Sequence, residues 1–541
     1  MRISEAVLRF LKENHVEYIF GIPAGTVSPL YDSLNDVNIK LIVSKNEGGS
    51  SFMATRYAST SGKLGVCMGA GGVGVNNMLN GIADAMRSKT PLLVITGYIH
   101  RWQIGKGAIQ ELNTEDILKP ITKYSKTIMD EKEVLKELKY AMELALTHPK
   151  GPVHLSIPID IQLSSCVEEI LSPVVKEKML TLSDFELLDK AVEIVKEAKQ
   201  GLILVGKGAR GYSTKVMELS KHLNFKIITT PEAKGLIPSD FPLNLGNYGF
   251  ASTDAAVDYV SDKKTDTLIV LGSSLGENST CNFSTSLFDG KKTIHIDIDK
   301  KELGKVFDTD ICICANMSEV IPYFIENVRK SEQIDVVKTE INKPVLTTNT
   351  GLSLREFMEL LTNYMPKDTF YVSDMGEFMN FIYKYLQIPT GGDFEVNLNY
   401  AAMGSGIGGV VGVQAAYPNR TVAVFAGDGS FFMNGNEILT AKEYNLPIIY
   451  FIINNAMLGF VEHGHQFLFN RVVKGFKQER ISITNVVKAC GINAMQIADI
   501  KDMEQIPEFI KSSEGPIVIE LITDGSEISP NGDRLKSLQK K

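Results

Sequence analysis

The sequence predicts an α/β protein of three doubly wound domains with mainly parallel sheets. Three observations carry that reading. The chain has 541 residues, too many for one ordinary domain. Short apolar, β-rich runs alternate with helical stretches in three successive blocks. Two stretches that lose the pattern, "CVEEILSPVVKEKMLTLSD" and "RKSEQIDVVKTEINKPVLTTNTG", separate the blocks as linkers. The expected domains are 1–166, 182–332 and 350–525, with a tail at 526–541.

The first block opens on "MRISEAVLRFLKENHVEYIF", where Glu5, Lys12 and Glu13 fall at helical spacing. That is an amphipathic first helix, not a signal peptide. "KLIVS", "LGVCMG", "PLLVITG" and "GPVHLSI" read as strands, with "GGSSFMATRYAST" and "NNMLNGIADAMRS" as helices between them. The second block runs through "GLILVGKGAR", "KIITT", "DTLIVLGSS" and "KTIHIDID". The third holds "DTFYVSDMG", "TVAVFAGDG", "PIIYFIINN" and "PIVIELI". No sequence repeat links the blocks, so any kinship between them is architectural.

Composition narrows the function classes. Apolar residues at 44% and charged residues at 22% are those of a soluble globular protein. A net charge of -8 gives no electrostatic reason to expect nucleic acid or an anionic membrane as partner. No run approaches the roughly 18 apolar residues of a membrane span. Six scattered cysteines fit a reduced cytoplasm. Cys312 and Cys314, in the strand-like "ICIC", read as buried thiols before metal ligands.

The chemistry concentrates between Val424 and Gly459. "TVAVFA" delivers Gly427-Asp428-Gly429 to the carboxyl end of a strand, and "PIIYFII" delivers Asn454-Asn455 to the end of the next. The helical stretch between them is expected to keep Asn436, Glu437, Lys442 and Glu443 on polar positions. Adjacent parallel strands bring Asp428 and Asn455 to the edge where open α/β sheets bind ligands. A carboxylate plus an amide oxygen suits Mg2+, which keeps coordination places for phosphate oxygens. Glycines 427 and 429 let backbone approach a diphosphate, and a following helix N-terminus favours the anion.

This arrangement resembles the motif of thiamine diphosphate-dependent enzymes. "YIFGIPAGTVSPLYDSL", "VSKNEGGSSFMATRYA" and "GPVHLSIPIDIQ" resemble the pyrimidine-binding domain of the acetolactate synthase and pyruvate oxidase group. The resemblance covers essentially the whole chain. It implies Asp428, Asn455 and the Met457 carbonyl as Mg2+ ligands, with Gly427, Gly429, Ser430, Phe431 and Gly459 around the cofactor. Glu47 matches the catalytic glutamate that bonds the pyrimidine N1′ and supplies the tautomer needed to remove the thiazolium C2 proton. The family commonly has His before this Glu, where this chain has Asn46. In "NYAAMGSGIGGVVG", Met403 matches the apolar wedge beneath the cofactor, and the Ala401 carbonyl the acceptor for the 4′-amino group. "SDMGEFMN" matches the diphosphate cradle through Gly376, Glu377 and Phe378; a Glu377 side chain beside phosphate must point away. "GGVGVNN" contributes Gly72 and Asn77, with Val73 in place of the usual Pro. Gln110 matches a glutamine near the thiazolium and substrate. His463 and His465 read as residues of an entrance or a solvated turn before a metal pair.

The resemblance implies a homodimer at minimum, possibly a homotetramer, with each cofactor between domains of two subunits. It implies decarboxylation of a small-molecule 2-oxo acid and carboligation of the resulting enamine to a carbonyl acceptor. Simple aldehyde release is the alternative, and a non-catalytic binding subunit a more distant one. No adjacent His pair of the pyruvate decarboxylase kind is seen in the first block. Thr26 stands where some catabolic acetolactate synthases have Lys, so pyruvate as second substrate is not secured. The glycines of "VGKGAR" match a flavin-contacting segment, but "LGSSLGENST" lacks the arginine of FAD-type relatives, so no tightly bound FAD is expected.

Overall fold

The computed structural model describes residues 1–166, 181–332 and 351–530. Both expected linkers fall mostly outside these residues, as does the tail beyond Pro530. Each block forms a six-stranded sheet in which every strand pair is parallel.

The first sheet contains β1 (Tyr18–Gly21), β2 (Lys40–Val43), β3 (Gly65–Gly69), β4 (Leu92–Tyr98), β5 (Tyr124–Thr127) and β6 (Pro152–Pro158), in the order 2-1-3-4-6-5. The second contains β7 (Gly201–Val205), β8 (Lys226–Thr229), β9 (Asn244–Asn247), β10 (Thr267–Leu271), β11 (Lys292–Asp297) and β12 (Ile311–Cys314). Its order, 12-11-10-7-8-9, is that of the two-halved doubly wound sheet. The third contains β13 (Phe370–Ser373), β14 (Asp393–Glu395), β15 (Val422–Gly427), β16 (Ile448–Asn454), β17 (Asn493–Ile497) and β18 (Ile517–Ile522), ordered 14-13-15-16-18-17. Counted from its own first strand, the third sheet repeats the first. Two segments without recognisable sequence repeat thus share one topology.

The strands expected from the sequence are chiefly interior ones, buried on both faces as helix-covered parallel strands must be. β5, β9, β14 and β17 have no counterpart among the expected runs, and all four are sheet edges. Edge strands need apolar side chains on fewer positions, so "YSKT" and "DFE" give little periodic signal. β1 is interior but only four residues long.

One core joins the first and third domains. The helix Glu47–Ser61 buries nearly its whole circumference and packs against the helix Ser405–Ala416. A Cβ on Gly412 would stand 1.9 Å from the Met53 carbonyl, so only glycine lets these backbones approach so closely. Met53 and Tyr57 share a cluster with Ile407, Val410 and Val411. Each such buried apolar side chain contributes about 1.5–3 kcal/mol.

A charged knot ties in the central domain. Glu395, fully buried at the end of β14, faces Arg56 at 3.5 Å, Lys207 at 3.1 Å and Arg210 at 3.3 Å. Burial opposes its ionisation, yet Lys207, Arg210 and Arg56 together outweigh that and hold its pKa at about 2.

Glu437 departs from expectation. It is 1% exposed, not on a polar face. Its carboxylate accepts the Lys45 and Asn46 backbone N–H groups and the Thr440 hydroxyl, fastening the Glu47 turn to the third domain. A hydrophobicity pattern cannot show this, because the Lys45 and Asn46 amides lie nearly 400 residues away.

Candidate active site at the edge of the third sheet

β13 and β15 are neighbours whose connections run to opposite sides, so their carboxyl ends form the switch-point crevice of this sheet. Asp374 follows β13 and is fully buried. Its carboxylate accepts from the backbone N–H groups of Met375, Gly404, Gly406 and Ile407 and from the Ser430 hydroxyl, all at 2.7–2.9 Å. Burial pushes its pKa up while these donors oppose the shift. Asp374 therefore anchors the glycine-rich segment bearing Met403 to the start of the Asp428–Asn434 helix. It stood within "SDMG" but carried no motif signal of its own.

Asp428 follows β15, and Asn455 follows β16, paired in parallel with it. The Asp428 carboxylate accepts the N–H of Gly429 at 2.8 Å and of Ala456 at 2.8 Å. The Asn455 amide oxygen accepts the Met457 N–H at 3.2 Å, so Asp428, Asn455 and Met457 belong to one bonded turn. Burial raises the Asp428 pKa, with the two amides opposing. A bound cation would supply the missing stabilisation of the carboxylate. The expected donor set, one carboxylate, one amide oxygen and one backbone carbonyl, would suit a hard cation such as Mg2+. Thr523 lines the same cleft, and its buried hydroxyl has no hydrogen-bond partner in the chain.

The cleft holds about 110 Å³ and is lined by Gly376, Glu377, Phe378, Met403, Gly427, Asp428, Gly429, Ser430, Asn455, Met457 and Gly459. Ligand pockets usually offer about 300–1,000 Å³, so one chain encloses only part of a cofactor-sized site. The Phe431 side chain is buried in the core shared with the first domain and does not line the cleft. Ala401, at φ +58°, lies just outside the lining, in the loop before Met403. Met403 reaches towards Gly429, with its Cε 3.2 Å from where a Cβ on that glycine would stand. Glu377 pairs with His463 at 2.8 Å, and His463 has its pKa raised by that bond. His465 bonds the Arg471 carbonyl and packs between Phe469 and Phe476. Among the described residues, no group of three His, Cys, Asp or Glu side chains converges as a metal site.

The remaining candidates gather at the edge of the first sheet. Glu47, half-buried at the start of its helix, accepts from the Asn77 amide at 2.9 Å. Asn46 caps that helix, accepting the Gly48 N–H at 2.8 Å. Gly72 sits at φ +61°, where a Cβ would meet the Gln110 carbonyl at 2.8 Å. Gln110 is exposed in a turn at φ +67°. Within the chain, Glu47, Gly72, Asn77 and Gln110 do not line the Asp428 cleft.

Three family models match in succession: thiamine pyrophosphate enzyme N-terminal TPP binding domain over 1–117, central domain over 188–324, and C-terminal TPP binding domain over 374–521. The chain belongs to the thiamine pyrophosphate enzyme family. It is 29% identical to the acetolactate synthase large subunit of Lactococcus lactis, over 97% of this chain and 93% of that protein. It is 27% identical to acetolactate synthase isozyme 2 large subunit of Escherichia coli, over the full length of both. The fold matches the Rhodococcus jostii thiamine diphosphate-dependent 4-hydroxybenzoylformate decarboxylase with a TM-score of 0.86 at 19% identity, over 97% of this chain and 99% of that one.

A larger cavity, about 700 Å³, lies between the three domains, lined in part by Lys207, Gly208 and Arg210 of "VGKGAR" and by Asp297 and Asp299. Lys89 spans its rim to Asp299 at 2.6 Å and Glu302 at 2.8 Å. No helix among the described residues is long and apolar enough to cross a membrane. All six cysteines are free thiols.

Proposed function

We propose that this chain is a thiamine diphosphate- and Mg2+-dependent enzyme that decarboxylates a 2-oxo acid and joins the remaining acyl unit to a second carbonyl. The observation that carries the reading is the bonded turn of Asp428, Asn455 and Met457 at the crevice of the third sheet. Full-length similarity to acetolactate synthases supports carboligation over aldehyde release.

When bound, the cofactor supplies the electron sink for decarboxylation. Asp428, Asn455 and the Met457 carbonyl would hold Mg2+, which would supply positive charge for the diphosphate. Gly427 and Gly429 would admit the anion to the backbone, Ser430 is aligned by Asp374, and Met403 would pack against the cofactor. Glu47, oriented by Asn77, holds or releases a proton at the pyrimidine N1′. Gln110 orients a substrate carbonyl or carboxylate, and the apolar Leu458 and Phe460 exclude water so that an acceptor outcompetes a proton.

Glu47 and the Asp428 cleft lie apart within one chain, and the cleft is too small alone. Both facts support a homodimer whose first domain closes the third domain of its partner. The functional units are 1–166, 182–332 and 350–525; Glu527 and Ser529 of the tail dock on the third unit through Ser353 and Asn380. Six free thiols support a cytoplasmic protein. Arg210 is neutralised by Asp393 and Glu395, and Lys89 occupies Asp299 and Glu302. These pairings support the reading that FAD is not tightly bound; a yellow preparation with near-stoichiometric flavin would overturn it. The deciding experiment is a panel of 2-oxo acids with product mass spectrometry, with and without an aldehyde or keto acid acceptor. Only free aldehyde at excess acceptor would move the chain to the decarboxylases.

A further inference from the structure

Four carboxylates line the cleft around Asp428: Glu377, Asp428, Asp524 and Glu527. Among the described residues, no Lys, Arg or His side chain lines it. A site of that charge repels a diphosphate unless each acid is accounted for. Asp428 is bonded to two amides and is the candidate metal ligand. Asp524 accepts from the Ser526 N–H and hydroxyl. Glu527 accepts the Ser353 hydroxyl and the Leu354 and Arg355 N–H groups, closing the start of the Leu354–Leu360 helix.

Glu377 is different. It sits directly after Gly376, and among the described residues its one ion-pair partner is a side chain that does not itself line the cleft. Its Oε1 lies 2.8 Å from Nδ1 of His463, on the helix Gly459–Phe469, and the pair is largely withdrawn from solvent. Its Oε2 rests against Gly459, 2.6 Å from where a Cβ would stand. Any larger residue at 459 would displace that carboxylate. The charged neighbour of His463 on the same helix, Glu462, faces Lys477 at 3.7 Å instead.

We propose that His463 is a positioning residue that masks Glu377: pairing with it turns the carboxylate away and lets an anionic diphosphate bind beside it. The inference rests on the thiamine diphosphate reading above. Glutamate at 377 is then a liability that this chain neutralises locally. The neutral isostere Glu377→Gln removes the need for the histidine.

The test is calorimetric titration of thiamine diphosphate, at fixed Mg2+, into the full chain and three variants. His463→Ala is expected to weaken binding about tenfold or more, because an unmasked carboxylate faces the phosphates. Glu377→Gln is expected to bind as well as wild type or tighter. In the Glu377→Gln background, His463→Ala should change affinity by no more than about twofold, the mark of two residues acting through one contact. An equal loss in both backgrounds would overturn the proposal, since His463 would then act on its own. Weakened binding by Glu377→Gln alone would overturn it too, by making the carboxylate a ligand. Should His463→Ala not fold by thermal melting, His463→Gln replaces it, keeping a donor but no charge. Failure of wild type to bind at all would instead sink the cofactor reading, and this inference with it.

Discussion

The first and third sheets have the same strand order, yet they hold their acids in opposite ways. At the edge of the first, Glu47 is half-buried and fastened by one side-chain bond, from Asn77. At the edge of the third, Asp374 accepts four backbone amides and a hydroxyl, and Asp428 two amides. Backbone donors come from a rigid scaffold and fix a carboxylate in place. A single amide contact leaves an acid free to exchange its proton with a ligand. One topology thus supplies an edge that fixes its acids through backbone donors and an edge that holds its acid by a single side-chain bond, and the side chains at the strand ends make the distinction.

The largest effect should come from the fixed edge. Asp428→Ala removes the only carboxylate of the candidate Mg2+ site and should abolish measurable thiamine diphosphate binding in calorimetry. Unchanged affinity in Mg2+ would break the comparison at its root. Glu47→Gln should act on the other half: the cofactor still binds, but exchange of its C2 proton, followed by NMR in D2O, slows by about 10²–10⁴-fold. Exchange at the wild-type rate would remove Glu47 from the proton-handling role.

The third prediction asks whether the two edges depend on the knot beneath them. Glu395→Gln leaves the buried Arg56 and the partly buried Arg210 short of a counter-charge and should cost about 3–5 kcal/mol in denaturant unfolding. The wild-type carboxyl sits at about 2 against an ordinary 4.5, so the folded state favours its ionised form. Its contribution is complete above the ordinary value and is lost as pH falls from about 4.5 towards 2. The variant should lack that part of the acid slope. An identical slope in both proteins would show that Glu395 is not ionised in the knot.

The smallest effect belongs to Gln110. Its side chain is exposed in the single chain, so Gln110→Ala should leave cofactor affinity unchanged and shift products from the joined ketone towards free aldehyde by a few-fold, about 1 kcal/mol of orientation. No shift, read by product mass spectrometry, would confine the acceptor's recognition to other residues.

Much of this molecule was legible in the sequence because its decisive features are local. Interior parallel strands announce themselves as unbroken apolar runs, and the acid and amide that end β15 and β16 stand directly after two of them. Glycines 427 and 429 mark the same turn. Strand adjacency then makes the meeting of Asp428 and Asn455 a matter of topology, which alternating strands and helices already imply. What the sequence could not fix is whatever depends on partners distant along the chain. The edge strand β14 is too short to show a period, yet it places Asp393 and Glu395 among cations of two other domains. Glu437 looks like a surface residue of a helix until the Lys45 and Asn46 amides are brought to it. The pairing of Glu377 with His463 joins segments 86 residues apart. Local pattern is governed by backbone geometry and burial, which a few neighbouring residues settle. The burial of charge is settled only by where the opposite charge arrives, and only the tertiary structure decides that.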